Sequence, residues 1–304
     1  MFDLALPVTA CLRSGTRADV GWVISSEGVP VEDPNRAVAF TPGGGRLGGI
    51  DSSVIDGALS EHAGIGSVGR LVDIVVSEVD ALISGLGGPG KVTAAIAPAE
   101  SLPARLWDLA SDRIAFCLVG RLAGGEISSF EVYAETDPGL PEDVVEAFAS
   151  PAGSQLTKGQ VISVFRAAPR LVVVGSSPIV DALVTLAEFL GWQAGRHTTA
   201  SHAQGVIASL TEGDMVVVAA HDLELAGAAL LASLDSRAGY IGSVGSRKMQ
   251  ENRADWLAYR GVTDLDRIHG PAGLDIGASS PAEIAVSIVA EAIATTRGRS
   301  RTTG

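Results

Sequence analysis

The sequence predicts an α/β protein whose C-terminal half forms a parallel sheet covered by helices, preceded by a smaller N-terminal α+β domain. From residue 170 onward, short apolar segments alternate with helical segments of about 10 to 15 residues, the pattern of a sheet with both faces buried. Aromatic residues make up only 5% of the chain while Ala, Gly and Val are abundant, which suits tightly packed layers.

In the C-terminal half the predicted elements alternate regularly. Strands are expected at 171–174, 193–196, 215–219 and 240–241, with helices at 178–190, 201–210 and 223–234. A further helix is expected to start at Arg247. Another is expected to follow Ser280-Pro281-Ala282-Glu283, a capping box with proline at the first helical position.

The N-terminal half shows shorter, less regular segments. Strands are predicted at 20–25, 37–40, 71–76 and 92–97, a hairpin at 114–119 and 128–134, and helices at 54–63, 103–110 and 142–149. Residues 151–169 are interpreted as a linker with one short strand at 161–165. The predicted organisation is an N-terminal domain over 1–150, a linker over 151–169 and a C-terminal domain over 170–304.

Composition and charge exclude several classes of protein. A formal net charge of −13 over 304 residues argues against a general nucleic-acid binder, because a phosphate backbone would be repelled. Two cysteines, Cys11 and Cys117, do not make a disulfide framework or a zinc site. No apolar run reaches the ~20 residues of a membrane span, and the N-terminus lacks the basic region of a signal peptide. The expected location is the cytoplasm, and the composition is compatible with a homodimer.

A glycine-rich turn near the C-terminus is the strongest candidate for a binding site. The strand at 240–241 runs into Gly242-Ser243-Val244-Gly245-Ser246, and Arg247 and Lys248 begin the next helix. Free backbone N–H groups and the helix dipole make such a turn attract anions. A plain turn with Ser246 as N-cap is the alternative. The two adjacent cations favour a ligand phosphate, because cations at a helix start otherwise oppose the dipole.

The first turn of the predicted parallel sheet keeps only part of a dinucleotide fingerprint. In Gly175-Ser176-Ser177-Pro178-Ile179-Val180 only the first glycine of G-x-G-x-x-G is present. The second strand ends in Arg196 rather than in the acid that binds a ribose diol. NAD(P) binding is therefore an alternative with weak support.

Two further segments lie where the ligands of such sheets bind. His221 and Asp222 directly follow the third strand, where an acid–base role and a helix N-cap are both open. Asp275 stands between two glycines in a tight turn, and His269 is interpreted as structural. One histidine with scattered acids does not make a metal-ligand set, so no metal site and no catalytic residue are predicted.

The two C-terminal stretches IGSVGSRK and HGPAGLDIGASSPAEIAVSIVAEAIA resemble the C-terminal half of the XdhC/CoxI family. The family's members are accessory proteins of molybdenum hydroxylases such as xanthine dehydrogenase and CO dehydrogenase. The resemblance implies a C-terminal Rossmann-like domain, binding of the molybdenum cofactor (molybdopterin), its sulfuration and its insertion into the apoenzyme. It also implies a chaperone rather than a turnover enzyme, with the hydroxylase apoenzyme and a cysteine desulfurase as partners.

The family's loop G-x-x-G-G-C-x-E falls on residues 45–51, where Arg46, Gly48 and Gly49 stand. Its acid is represented by Asp51, and its cysteine is replaced by Ile50. The run T-H-D-H-E-L of the family falls on residues 220–225.

These matches imply a cofactor site in a cleft between the two domains. The residues expected to bind the cofactor are Arg46, Gly48, Gly49, Asp51, Gly175, Ser177, His221, Asp222, Gly242, Ser246, Arg247 and Asp275. Two other functions stay open. One is an NAD(P)-dependent oxidoreductase. The other is a diverged family member that acts as a non-catalytic scaffold, which is suggested by Ile50 in place of cysteine and by the non-glycine residues Ser177 and Val180.

Overall fold

The computed structural model describes residues 1–30, 35–50, 53–150 and 154–299, and the chain divides into two compact units, Met1–Ala167 and Ala168–Gly304. The N-terminal unit, expected to be the smaller, is the longer of the two. The prediction of a linker was also wrong, because this segment contributes two strands to the N-terminal sheet.

The N-terminal unit is built on an antiparallel sheet. Its described strands are β1 (Asp19–Glu27), β2 (Ala37–Thr41), β3 (Gly45–Gly48), β4 (Gly69–Val76), β5 (Gly90–Pro98), β6 (Phe116–Ala123), β7 (Glu126–Ala134), β8 (Ser154–Leu156) and β9 (Gln160–Phe165). They lie in the order β3-β2-β1-β5-β4-β7-β6-β9-β8. The predicted strands and the hairpin are confirmed. The short strands β3 and β8 were not predicted, because their patterns are too brief to stand out from glycine- and serine-rich surroundings.

The N-terminal unit also carries five described α-helices. These are α1 (Ala5–Arg13), α2 (Ser53–Glu61), α3 (Glu78–Ser84), α4 (Ala104–Ser111) and α5 (Glu142–Ala149). Helices α1 and α3 were not predicted. Helix α1 packs Ala5 and Val8 against Trp22 and its neighbours in the core. Helix α3 begins at a capping box in which Ser77 accepts from the backbone N–H of Asp80.

Aromatic side chains fill the centre of this unit. The Trp22 indole N–H donates to Ser163 Oγ at 3.1 Å. Ser163 lies on β9, so a strand within the predicted linker supplies the hydrogen-bond partner of this buried indole. The rings of Phe116 and Phe165 lie 5.2 Å apart. Beside them on β6, burial raises the pKa of the Cys117 thiol to about 12, which makes this cysteine an inert core residue.

The C-terminal unit is a parallel sheet with helices on both faces. Its described strands are β10 (Arg170–Val174), β11 (Gln193–His197), β12 (Met215–Val218), β13 (Tyr240–Ser243) and β14 (Ile268–His269), in the order β11-β10-β12-β13-β14. Its helices are α6 (Pro178–Phe189), α7 (Ala200–Ile207), α8 (Leu223–Asp235), α9 (Arg247–Ala258) and α10 (Pro281–Arg299). The predicted parallel α/β sheet is confirmed. Strand β14, with two residues, was missed because it shows no periodicity.

Alternate residues of β10 explain why both faces are covered. Val172 and Val174 belong to a cluster with side chains of α7 and α8, whereas Leu171 and Val173 pack with those of α6 and α10. All four are buried, as a doubly covered strand requires. Of the helices in the described part of the chain, none combines the length and the apolar character that crossing a membrane requires.

The amino ends of β10 and β12 are joined by a buried ion pair. Arg170 Nη2 donates to Asp214 Oδ2 at 2.7 Å, and the Arg170 backbone N–H donates to Oδ1 at 2.9 Å. Burial alone would raise the pKa of Asp214, but the hydrogen bonds from Arg170 and Thr211 hold it below its usual value. This pair fixes the register of the two central strands.

Candidate functional site

The carboxyl ends of the parallel strands bring three loops to one edge of the C-terminal sheet. After β10 the chain moves to β11 on one side, and the following strand β12 lies on the other side, so a topological switch point falls between β10 and β12. Ligands of such sheets bind at this point. The candidate site is therefore the edge formed by residues 175–177, 219–222 and 243–248, called here the carboxyl edge.

Gly175 allows the first and second of these loops to touch. Its φ is +133°, and an added Cβ would lie 2.8 Å from the backbone of Ala219 and Ala220. A side chain at position 175 would therefore push apart the two loops at the switch point.

Three helices start at the carboxyl edge, each with a capping side chain. Ser177 accepts from the N–H of Val180, Asp222 from the N–H of Leu225 at 2.7 Å, and Ser246 from the N–H of Met249. The N-cap alternatives for Asp222 and Ser246 are thus seen in the structure, and they place three positive helix ends side by side. Such an edge suits an anion.

The glycine turn is shorter than expected, because Gly242 and Ser243 belong to β13. Gly242 is a packing position whose added Cβ would lie 2.8 Å from the Tyr240 ring. Gly245, with a φ of +147°, forms the turn itself. Arg247 and Lys248 follow it with exposed side chains, and within the described residues no hydrogen bond or ion pair engages either cation.

A buried polar network lies beneath this turn and was not found from the sequence. Ser243 Oγ donates to Gln250 Oε1 at 2.7 Å, and Gln250 Nε2 donates back to the Ser243 carbonyl at 2.8 Å. Arg253, one turn further along α9, donates to Ser243 Oγ and to the carbonyls of Val244 and Ala220. The spacing of three between Gln250 and Arg253 on α9 is the sequence signal that both face the turn.

The other predicted residues of this unit differ in their surroundings. His221 is exposed beside the cap Asp222. Asp275 is exposed in the loop that precedes α10, and the structure gives no direct contact between it and the glycine turn. The predicted capping box is present: Ser280 N–H donates to Glu283 Oε2 at 2.9 Å, and backbone N–H groups hold the pKa of Glu283 at about 2.

The structure accounts for the incomplete dinucleotide fingerprint. Val180, at the place of the third glycine, is fully buried between α6 and the sheet. Arg196 forms an ion pair with Asp181 in the first turn of α6. The arginine at the end of the second strand is thus already engaged within the unit.

The N-terminal unit holds its own candidate site, a cavity of about 750 Å³ next to the hairpin of β2 and β3. Arg46 lies on β3, a strand where a loop was predicted, and its Nη1 donates to Asp56 Oδ2 at 3.2 Å. The N–H of Ile50 donates to Asp56 Oδ1 at 3.0 Å, and an added Cβ on Gly49 would lie 3.1 Å from the same carboxylate. Burial raises the pKa of Asp56, against the opposing effects of the Ile50 N–H and Arg46.

A second pair lines this cavity. Arg17 donates to Asp19 through Nε at 2.9 Å and through Nη2 at 2.8 Å. Asp19 and Asp56 were missed, because isolated acids in a sequence give no sign of being buried. Gly48 lies at the end of β3 against Leu4, and Asp51 falls outside the described residues. Groups of three or more metal-binding side chains do not occur in the described parts of the chain.

Comparisons with known proteins agree with this fold. Residues 171–292 match a family model described as the XdhC Rossmann domain. Over 207 residues the chain is 26% identical to the uncharacterized protein YqeB of Escherichia coli (strain K12), covering 57% of this chain and 38% of YqeB. The chain thus spans well under half the length of this relative.

A solved structure shares the fold of the whole chain. The crystal structure of a Bacillus halodurans protein described as a xanthine dehydrogenase superposes with a TM-score of 0.54 at 19% sequence identity, covering 99% of this chain and 97% of that one. At this identity the likeness is one of fold. The family match on the parallel sheet shows that residues 171–292 of this chain form an XdhC Rossmann domain.

Proposed function

We propose that this chain is an accessory protein that binds the molybdenum cofactor and delivers it to a molybdenum hydroxylase such as xanthine dehydrogenase or CO dehydrogenase. One observation carries the proposal: in an XdhC Rossmann domain, two unengaged cations, Arg247 and Lys248, flank a glycine turn at the start of α9. Two cations at a positive helix end need an anion to be favourable.

The residues of the carboxyl edge fit the phosphate of a pterin cofactor. Backbone N–H groups in the first turn of a helix have no intrahelical partner, and in α9 Ser246 caps only that of Met249. Arg247 and Lys248 add charge, Gly175 lets the loops after β10 and β12 approach each other, and Gly245 forms the turn. When bound, the cofactor would supply the molybdenum centre that the partner enzyme uses.

The remaining residues of the proposed site would bind the cofactor. Ser177, His221 and Asp222 line the switch point, where a pterin ring would need hydrogen-bonding partners. Asp275 and Gly242 belong to the same proposed set. Arg46, Gly48, Gly49 and Asp51 are proposed as the contribution of the N-terminal unit. We propose no catalytic role for any of them, since transfer of a cofactor needs binding and release only.

The test is anaerobic purification with fluorescence detection of oxidised pterin. We expect pterin to accompany the wild type and to fall strongly in Arg247→Ala. The matched control is Arg237→Ala, because Arg237 is also exposed but precedes β13, at the opposite edge of the sheet. Equal pterin in all three proteins would contradict the proposed place of the cofactor.

The partner is tested separately. We expect the cofactor-loaded chain to bind a molybdenum hydroxylase apoenzyme and to restore its activity, with a cysteine desulfurase needed for the sulfurated form. A protein that retains no pterin and contacts no such enzyme would leave the scaffold alternative. A titration with NAD(P)H would then test the other alternative, an NAD(P)-dependent oxidoreductase.

A further inference from the structure

Arg253 is a buried arginine with an unusual set of partners. It is 3% exposed, and its guanidinium donates to Ser243 Oγ at 2.7 Å, to the Val244 carbonyl at 2.8 Å and to the Ala220 carbonyl at 2.7 Å. All three acceptors are neutral, and no described carboxylate forms an ion pair with it. Its charge is therefore held in the protein interior without a counter-charge from the described chain.

Two other arginines of the same unit show how such a charge is usually balanced. Arg170 is paired with the carboxylate of Asp214. Arg267 donates to the carbonyls of Leu234, Ser236 and Ala238, at the C-terminal end of α8, where the helix dipole is negative. Arg253 instead lies under the loops that lead into α8 and α9, next to the N-terminal ends of both helices, which carry positive partial charge.

The nearby acids do not supply the missing charge. Asp222 uses Oδ1 to cap α8, and its side chain is exposed. Glu224 accepts from the indole N–H of Trp256 at 2.9 Å and lies 3.5 Å from Arg260. Burying an unpaired charge is costly, and the cost falls when an opposite charge binds nearby. The carboxyl edge thus carries an excess of positive charge that a bound anion would neutralise.

We propose that Arg253 is a positioning residue that fixes the loops after β12 and β13 and supplies the buried charge by which the carboxyl edge selects a phosphate or pyrophosphate group. The proposal rests on the proposed function only in expecting a ligand at this edge. Arg253 acts on the ligand through the carbonyls of Ala220 and Val244, which it holds inward. Because the C=O and N–H of one trans peptide point in opposite directions, the N–H groups of His221 and Gly245 are then turned outward, toward the ligand.

The probe is inorganic pyrophosphate, measured by calorimetry and by thermal unfolding at constant ionic strength. We expect pyrophosphate to bind and stabilise the wild type, and Arg253→Met to bind it about tenfold or more weakly. Arg253→Lys, which keeps the charge, should recover part of the affinity. The matched control is Arg267→Met, which removes an arginine that also donates to three backbone carbonyls but lies at the opposite edge of the sheet. The Tm of this variant should fall, while its affinity for pyrophosphate should stay unchanged.

A second readout does not depend on the folding of Arg253→Met. In wild-type protein labelled with ¹⁵N-arginine, pyrophosphate should shift the Nε–H resonance of Arg253, assigned by its loss in Arg253→Lys, and leave that of Arg267 in place. No stabilisation and no shift of the Arg253 resonance would overturn the proposal, as would wild-type affinity in a folded Arg253→Met.

These results are separable from the pterin test. Pterin retained equally by wild type and Arg253→Met would overturn this inference and leave the proposed function intact. Pyrophosphate binding that needs Arg253, in a protein that retains no pterin, would support this inference and contradict the proposed cofactor.

Discussion

The hydroxyl of Tyr240, on β13, donates to Glu291 Oε2 on α10 at 2.6 Å. The same oxygen accepts the backbone N–H of Gly273 at 2.7 Å, and Oε1 lies 3.2 Å from His269 Nδ1. Burial raises the pKa of Tyr240, so its hydroxyl remains a donor. One carboxylate therefore joins α10, strand β13 and the loop that carries Asp275, and His269 has the structural role expected for it.

Replacing Glu291 by Ala should destabilise the C-terminal unit by about 1–3 kcal/mol, because it leaves the Tyr240 hydroxyl and the Gly273 N–H without an acceptor. Tyr240→Phe removes only the donor and should cost about 1 kcal/mol. Denaturant unfolding of the single and double variants gives the coupling between the two residues. Additive effects would show that the hydrogen bond contributes nothing of its own.

The buried ion pair Arg170–Asp214 should contribute far more to the free energy of unfolding than an exposed ion pair does. Asp214→Asn leaves a guanidinium that is 19% exposed without its carboxylate, and we expect a loss of about 3–5 kcal/mol. The control is Asp73→Asn, which breaks the exposed Lys91–Asp73 pair and should cost much less stability, because solvent screens that pair. Similar losses in the two variants would contradict the structural role of the buried pair.

The same pair predicts how acid affects the unit. The pKa of Asp214 is lowered on folding, so the unfolded chain binds the proton more tightly. The stabilisation is complete above the ordinary aspartate pKa of about 4 and is lost as the pH falls through the lower pKa of the folded protein. Unfolding measured from pH 7 to pH 3 should therefore show a steeper decline for the wild type than for Asp214→Asn.

His197 should titrate below the usual histidine range. Burial lowers the pKa of its ring, and His202, whose ring lies 4.8 Å away, lowers it further. Its buried Nδ1 has no hydrogen-bond partner in the described structure, so protonation would leave a buried N–H without an acceptor. The stability this histidine contributes is present above pH ~6.5 and is lost as the pH falls below it.

Two measurements check this expectation. NMR titration should place the His197 ring below the ordinary pKa, and His197→Asn should reduce the loss of stability between about pH 6.5 and pH 5. His62→Gln, in the N-terminal unit, is the control and should leave that loss unchanged. An ordinary pKa for His197 would show that its ring is hydrated in solution.

Two glycines of the C-terminal unit should respond in opposite ways to alanine. Gly175→Ala puts a Cβ 2.8 Å from the Ala219–Ala220 backbone at a φ of +133°, so we expect a loss of about 1–3 kcal/mol and weaker pyrophosphate binding. Gly205 lies within α7 with open space around it, so Gly205→Ala should stabilise by up to about 1 kcal/mol. Thermal unfolding distinguishes the two, and equal effects would contradict close contact of the two loops.

Local patterns of the sequence determined most of the C-terminal unit. The apolar strands 171–174 and 215–219 are buried on both faces, so their composition alone indicates a covered parallel sheet. The Ser280–Glu283 box acts within three residues of itself, which is why it was predicted correctly. The N-cap role of Ser246, which the sequence offered as an alternative, is equally local and is seen in the structure. All described strand pairs of this sheet are parallel, so the strands' carboxyl ends lie at one edge, which brings Gly175, Asp222 and Ser246 together there.

Only the tertiary structure decided which polar groups are buried and what they hold. Glu291 lies 51 positions from Tyr240, and Arg253 lies 33 from Ala220, so neither pairing leaves a mark in a local window. The same holds for β8 and β9, which belong to a sheet whose first strand begins as early as Asp19 and so were interpreted as part of a linker. Sequence periodicity fixes which face of an element is apolar. Where a buried charge finds its partners depends on long-range contacts that form only when the chain is folded.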